Sequence, residues 1–175
     1  SVTSVLQRQL EQPLPKTGRW AGVIAREAVV QKLLALALGD TAEAEQWYKK
    51  TLAIDPQAAV AANNLAWLYA ERGQNLELAV QLAEDANAQL PNRPEVIHTL
   101  GWVSFKADLT TTAISLFQKS IDRNPSNPTY HYHLGLAQLK QQDVTRAKAP
   151  FERALALNPS FAQATEAREA LARLN

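Results

Sequence analysis

Three histidines, His98, His131 and His133, are the residues on which catalysis or metal binding would have to be built. His131 and His133 are two apart, so on a helix they point to different faces. No HExxH pair, EF-hand loop, GxGxxG, GxxxxGK[ST] or GxSxG occurs. The absence of cysteine removes thiolate ligands, disulfides and cysteine nucleophiles together. The carboxylates are scattered over expected helix surfaces, where solvation accounts for them. With no nucleophile–base set to point to, the sequence reads as non-catalytic, with no catalytic residue, no metal and no cofactor.

The elements that would carry any site are helices. Of the 175 residues, 46% are apolar and 20% charged, the balance of a water-soluble chain of one domain or one repeat array. Net charge is +1, which gives no reason to expect nucleic acid or an anionic membrane as partner. No run of 18 apolar residues occurs, so membrane insertion is not expected. The chain starts at Ser1 and has no methionine, which fits an excised or processed product, so the lack of a leader is uninformative about export. Cytoplasm and periplasm are not distinguished.

In chain order, Ser1 to Gln12 reads as a short helix broken by Pro13 and Pro15. From about Gly18 to Leu38 the apolar residues Trp20, Val23, Ile24, Ala28, Val29, Leu33, Leu34 and Leu38 follow helical spacing. Helix pairs then close at Pro56, Pro91, Pro125 and Pro159. Leu100-Gly101 recurs as Leu134-Gly135, and Asn124-Pro125 as Asn158-Pro159, both 34 residues on. Pro56 to Pro91 is 35, and the extra residue is expected in the turn Arg72-Gly73-Gln74-Asn75, where an insertion costs least. Pro150 falls inside the last helix B, past a cap at Asp143, and predicts a kink there or a later start. Ser160 to Asn175 reads as one terminal helix with Phe161, Ala164, Ala167, Leu171 and Leu174 on one side.

These features resemble the tetratricopeptide repeat (TPR) family, whose unit is a helix–turn–helix of 34 residues. The third unit gives Leu100-Gly101, Ala113, Phe117, Ser120 and Pro125. The fourth gives Leu134-Gly135, Ala147, Phe151, Ala154 and Pro159. The second gives Leu65-Ala66, Tyr69, Ala79, Ala83, Ala86 and Pro91. The first matches only in its second helix, with Gln31-Lys32 where Leu-Gly is expected. The resemblance implies an all-α fold, a right-handed superhelix of antiparallel helix pairs. Its units are 25–58, 59–93, 94–127 and 128–161, with a capping helix at about 161–174 and an N-terminal segment 1–24 outside the array. The phrasing of the repeats is similar to bacterial members.

The resemblance also implies where a working surface lies, since A helices of the family line a concave groove that binds a partner segment. By the repeat offset, Asn63, His98 and Tyr132 are equivalent, as are Trp67, Trp102 and Leu136. Ala70, Phe105 and Leu139 form a third row, and Glu71, Lys106 and Lys140 a fourth. An aromatic and aliphatic strip bordered by polar groups suits a partly apolar protein or peptide segment. Trp67 and Trp102 could instead be core between neighbouring A helices. Of the residues with which some TPR domains grip a C-terminal carboxylate, only Asn64 has a counterpart, so that specificity is not expected. Self-association, as a structural fragment of a larger TPR protein, is the alternative role.

Overall fold

A computed structural model describes residues 41–174. The expected helices over 1–12 and 18–38, the segment 1–24 and the first helix of the first unit lie outside these residues. Eight helices follow in the described part. They are α1 Thr41–Ile54, α2 Ala59–Arg72, α3 Leu76–Gln89, α4 Pro94–Lys106, α5 Thr110–Arg123, α6 Pro128–Lys140, α7 Val144–Leu157 and α8 Ala164–Leu174. The chain divides into two compact units, Ser1–Pro56 and Gln57–Asn175. Of the first, α1 is described, and it buries Ala44 and Tyr48.

In the second unit α2 packs on α3, α4 on α5 and α6 on α7, and each pair packs on the next. The A helices α2, α4 and α6 also touch in sequence along one wall. This is the all-α solenoid of antiparallel helix pairs. The closing prolines act as expected. α3, α5 and α7 each end two residues before Pro91, Pro125 and Pro159, and the intervening Leu90, Asn124 and Asn158 leave helical geometry. Pro128 then starts α6, with the Asn127 side chain accepting from the Thr129 amide at 3.0 Å.

Each A–B turn is closed by the same two backbone bonds, such as Gln142 N to Leu139 O and Asp143 N to Gln138 O. Asp108 and Gln142 hold the left-handed conformation there, both at φ 63°. Gly73 takes that place in the second unit at φ 62°. One further left-handed residue, Asn75 at φ 49°, stands before α3 and has no counterpart in the other turns. It is the extra residue, in the turn where the repeat spacing places it.

The repeats are held by close approach of A to B. A Cβ on Gly101 would lie 2.9 Å from the Phe117 ring, and one on Gly135 would lie 2.8 Å from the Phe151 ring. Both rings are fully buried. In the second unit the same two places are Ala66 and Ala83, both fully buried. A larger residue on helix A is thus matched by a smaller one on helix B.

One of the two alternatives at Pro150 does not occur, and the terminal helix starts later than expected. α7 runs unbroken from Val144 through Pro150 to Leu157, and Asp143 caps it by accepting from the Arg146 amide. The late start does not occur. Pro150 would cost about 3 kcal/mol in a helix interior, but burial of Ala147, Phe151 and Ala154 on the same helix outweighs it. The terminal helix begins at Ala164, later than Phe161. Asn158 turns the chain first, its side chain accepting from Ser160 N, and Phe161 packs as a buried lead-in residue.

Gly135→Ala gains about 1 kcal/mol of helix propensity but forces a methyl onto a ring that cannot retreat. Urea unfolding is expected to show a net loss of about 1–2 kcal/mol, with partial recovery on adding Phe151→Leu. Gln142→Gly, which relieves the left-handed turn, is expected to stabilise by about 0.5–1 kcal/mol in the same assay.

Candidate functional site

The A-helix wall brings most of the expected rows together, but not all of them face solvent. Asn63, Trp67, Phe105, Lys106, Leu136 and Leu139 are half-buried, and Glu71 and Lys140 are exposed. Ala70 is fully buried. His98, Trp102 and Tyr132 are buried, at 5%, 9% and 7% exposure. Those three are therefore packing residues rather than open groove residues. Trp102 is buried between neighbouring helices, whereas Trp67 stands half-buried at the edge of the stack.

The physical reason is a stack of rings running across three A helices. The His98 and His133 rings are nearly parallel, at 8°, and joined by an Nε2···Nδ1 hydrogen bond of 2.8 Å. Trp102 lies on His133 at 4.1 Å between centroids, and Tyr130 lies on His98 at 4.4 Å. Trp67 of α2 covers both Trp102 and His98 at 5.8 Å. Phe105 extends the stack from Trp102 at 5.3 Å. Stacked or tilted aromatic pairs each contribute about 0.5–1.5 kcal/mol beyond area burial.

Burial disfavours charge on these rings. It pulls the His98 imidazole down to about 3. It also holds His133 well below the usual imidazole range, helped by His98 and Lys106. Burial pushes the Tyr130 and Tyr132 phenols up, with the carboxylates of Glu95 and Glu166 adding to the effect. His131 stands apart, its Nε2–H donating to the Pro125 carbonyl at 2.9 Å.

Polar side chains clasp one repeat to the next along the rim. The Trp102 indole N–H donates to Glu71 Oε1 at 2.6 Å. Lys140 donates to the Phe105 carbonyl at 3.0 Å, sits 4.7 Å from the Phe105 ring centre and pairs with Asp108. Lys106 lies 5.2 Å from the Trp102 ring centre. Glu71 and Lys140 thus already have partners inside the array.

Beyond the rings the wall opens into an apolar cleft of about 430 Å³ between α6 and α8. It is lined by Tyr132, Leu136 and Leu139 on one side and by Ala170 and Leu174 on the other, with Glu166, Glu169 and Arg173 at its edge. Glu166, Ala170 and Arg173 stand 34 residues after Tyr132, Leu136 and Leu139. α8 therefore continues the wall as one more A helix. The α8 residues of the cleft, and the part of His133 and Tyr130 in the ring stack, were missed from sequence. Carrying the offset once more past Pro159 would have found the α8 set.

Among the described residues no cluster of His, Cys, Asp and Glu could hold a metal, and no helix is long and apolar enough to cross a membrane. Glu71→Ala leaves the Trp102 N–H without its acceptor and is expected to cost about 1 kcal/mol, with Glu71→Gln costing less. Thermal unfolding followed by tryptophan fluorescence measures both.

Family profiles described as tetratricopeptide repeat match residues 33–58, 47–81 and 99–162. No curated protein matches the chain. Among solved structures, TTC0263, a thermophilic TPR protein of Thermus thermophilus, superposes with a TM-score of 0.71 at 21% identity. That match covers 86% of this chain and 80% of the other. MamA, residues 41 to the end, from Desulfovibrio magneticus RS-1 gives 0.67 at 22% identity, covering 79% and 77%. At such identities the likeness is one of fold, and it is the fold built above from Gly–Phe packing, left-handed turns and closing prolines. With the three profile matches added, the chain belongs to the tetratricopeptide repeat family.

Proposed function

We propose that this protein is a non-catalytic scaffold whose A-helix wall binds a partly apolar segment of a partner protein. The observation that supports this best is the cleft between α6 and α8, apolar on its floor and polar at its edge. A wall whose aromatic part is already packed presents little to a ligand except its half-buried face, and the cleft is where that face is open. An apolar side chain of the partner enters between Leu136, Leu139, Ala170 and Leu174, while its backbone runs along the wall past Phe105 and Trp67. Such a site rewards a few anchor side chains more than total contact area.

Selection of binders from a random peptide library against the full chain tests this reading. Enriched peptides are expected to carry a bulky apolar anchor. Leu139→Ala with Phe105→Ala should weaken them about tenfold or more while circular dichroism stays native. Binders indifferent to both substitutions, or no enrichment at all, would reject the wall as the binding surface.

A further inference from the structure

We propose that the buried His98–His133 pair is an acid-sensitive latch between the third and fourth repeats, loosening the contact of α4 with α6 when the pH falls. The pair joins the two A helices directly, through a 2.8 Å bond between ring nitrogens. Both rings lie within the aromatic stack, with Trp102 on His133 and Tyr130 on His98. Phe117 of α5 approaches each of them, at 5.5 and 5.7 Å between centroids.

The proton inventory explains the latch. Two neutral imidazoles share one N–H in the joint, one ring donating and the other accepting. A first added proton must go to an outward nitrogen, placing a charge among apolar rings. A second would set N–H against N–H across the joint and break it. The titratable groups around the pair offer no compensation. Tyr130 and Tyr132 of α6 stay neutral, and Lys106 of α4 adds like charge. Glu71 of α2 is engaged by the Trp102 indole, and Glu95 acts on Tyr130. α5 contributes the Phe117 ring. Burial alone holds His98 down, whereas His98 and Lys106 add to burial at His133.

The sign follows from linkage. An unfolded histidine titrates near 6.5, whereas the folded pair resists protonation until far lower pH. The unfolded or locally opened chain therefore binds protons first. The stability that neutrality supplies is complete above about pH 6.5 and is lost as pH falls below it. Between pH 7 and pH 5 the opening equilibrium is expected to rise roughly 25-fold for each imidazole. This holds with or without a partner, so it does not rest on the binding reading.

The full chain tests it in two ways. Proton NMR of the imidazole C2–H signals is expected to show His98 and His133 not titrating above pH 5 in the folded protein. Hydrogen exchange, corrected for intrinsic rate, should lose protection in α4 and α6 before α8 on acidification. His133→Gln, which keeps a polar partner for His98 and removes one titrating ring, should reduce the pH 7 to pH 5 change in unfolding constant by about 25-fold. If that variant does not fold, the NMR titration of the native chain decides alone. Titration of both rings near 6.5 in the folded state, or an unchanged pH dependence in a folded His133→Gln variant, would overturn the latch.

Discussion

The array depends on one steric constraint, met once per repeat. A helix A can lie against its own helix B only if the side chain at one crossing point is nearly absent, and the aromatic ring opposite then fills the space. Gly101 with Phe117 and Gly135 with Phe151 are two instances, and Ala66 with Ala83 divides the space differently. Because the rings are fully buried and cannot shift, the distance within each pair is fixed. A fixed intra-pair distance makes the next pair stack at a constant offset, which sets the A helices in line. The wall follows from the crossing point rather than from any property of the wall residues.

Along that wall the aromatic residues serve cohesion. Trp67, Trp102, His133 and His98 form a continuous stack through three A helices, and Glu71 and Lys140 are drawn into ties between repeats. Aromatic rings on an A helix can serve a ligand or a neighbour, and here the neighbouring helix is close enough to take most of their surface. What is left open lies towards α8, where the side chains of the wall shrink from Trp to Leu and Ala and the surface recedes into a cleft.

Much of the fold was legible because its determinants are local and periodic. The 34-residue offset, the closing prolines and the Leu-Gly pair sit in sequence where the physics needs them, and the insertion in the second turn shows as one extra residue, Asn75. Pro150 does not delay the start of its helix, for a physical reason. Its cost is local and visible, while the burial of Ala147, Phe151 and Ala154 that outweighs it is a tertiary quantity. The site was less legible. Register along the repeats identifies which residues share a row, but whether a row is open depends on what the next repeat places over it. His98 reads as a rim residue by register alone, and it is His133, one position off that row, that covers it.

At α8, Arg168 and Glu169 stand one repeat after Leu134-Gly135, and both are exposed. The crossing point that elsewhere demands an apolar residue and an empty place is occupied by two charged ones. A helix B laid against this face would meet a guanidinium and a carboxylate instead of a socket, and Arg168 is already turned back to the Pro159 carbonyl at 2.5 Å. The socket that α4 and α6 offer to their B helices is therefore not repeated at α8, where charge fills the place that glycine leaves empty.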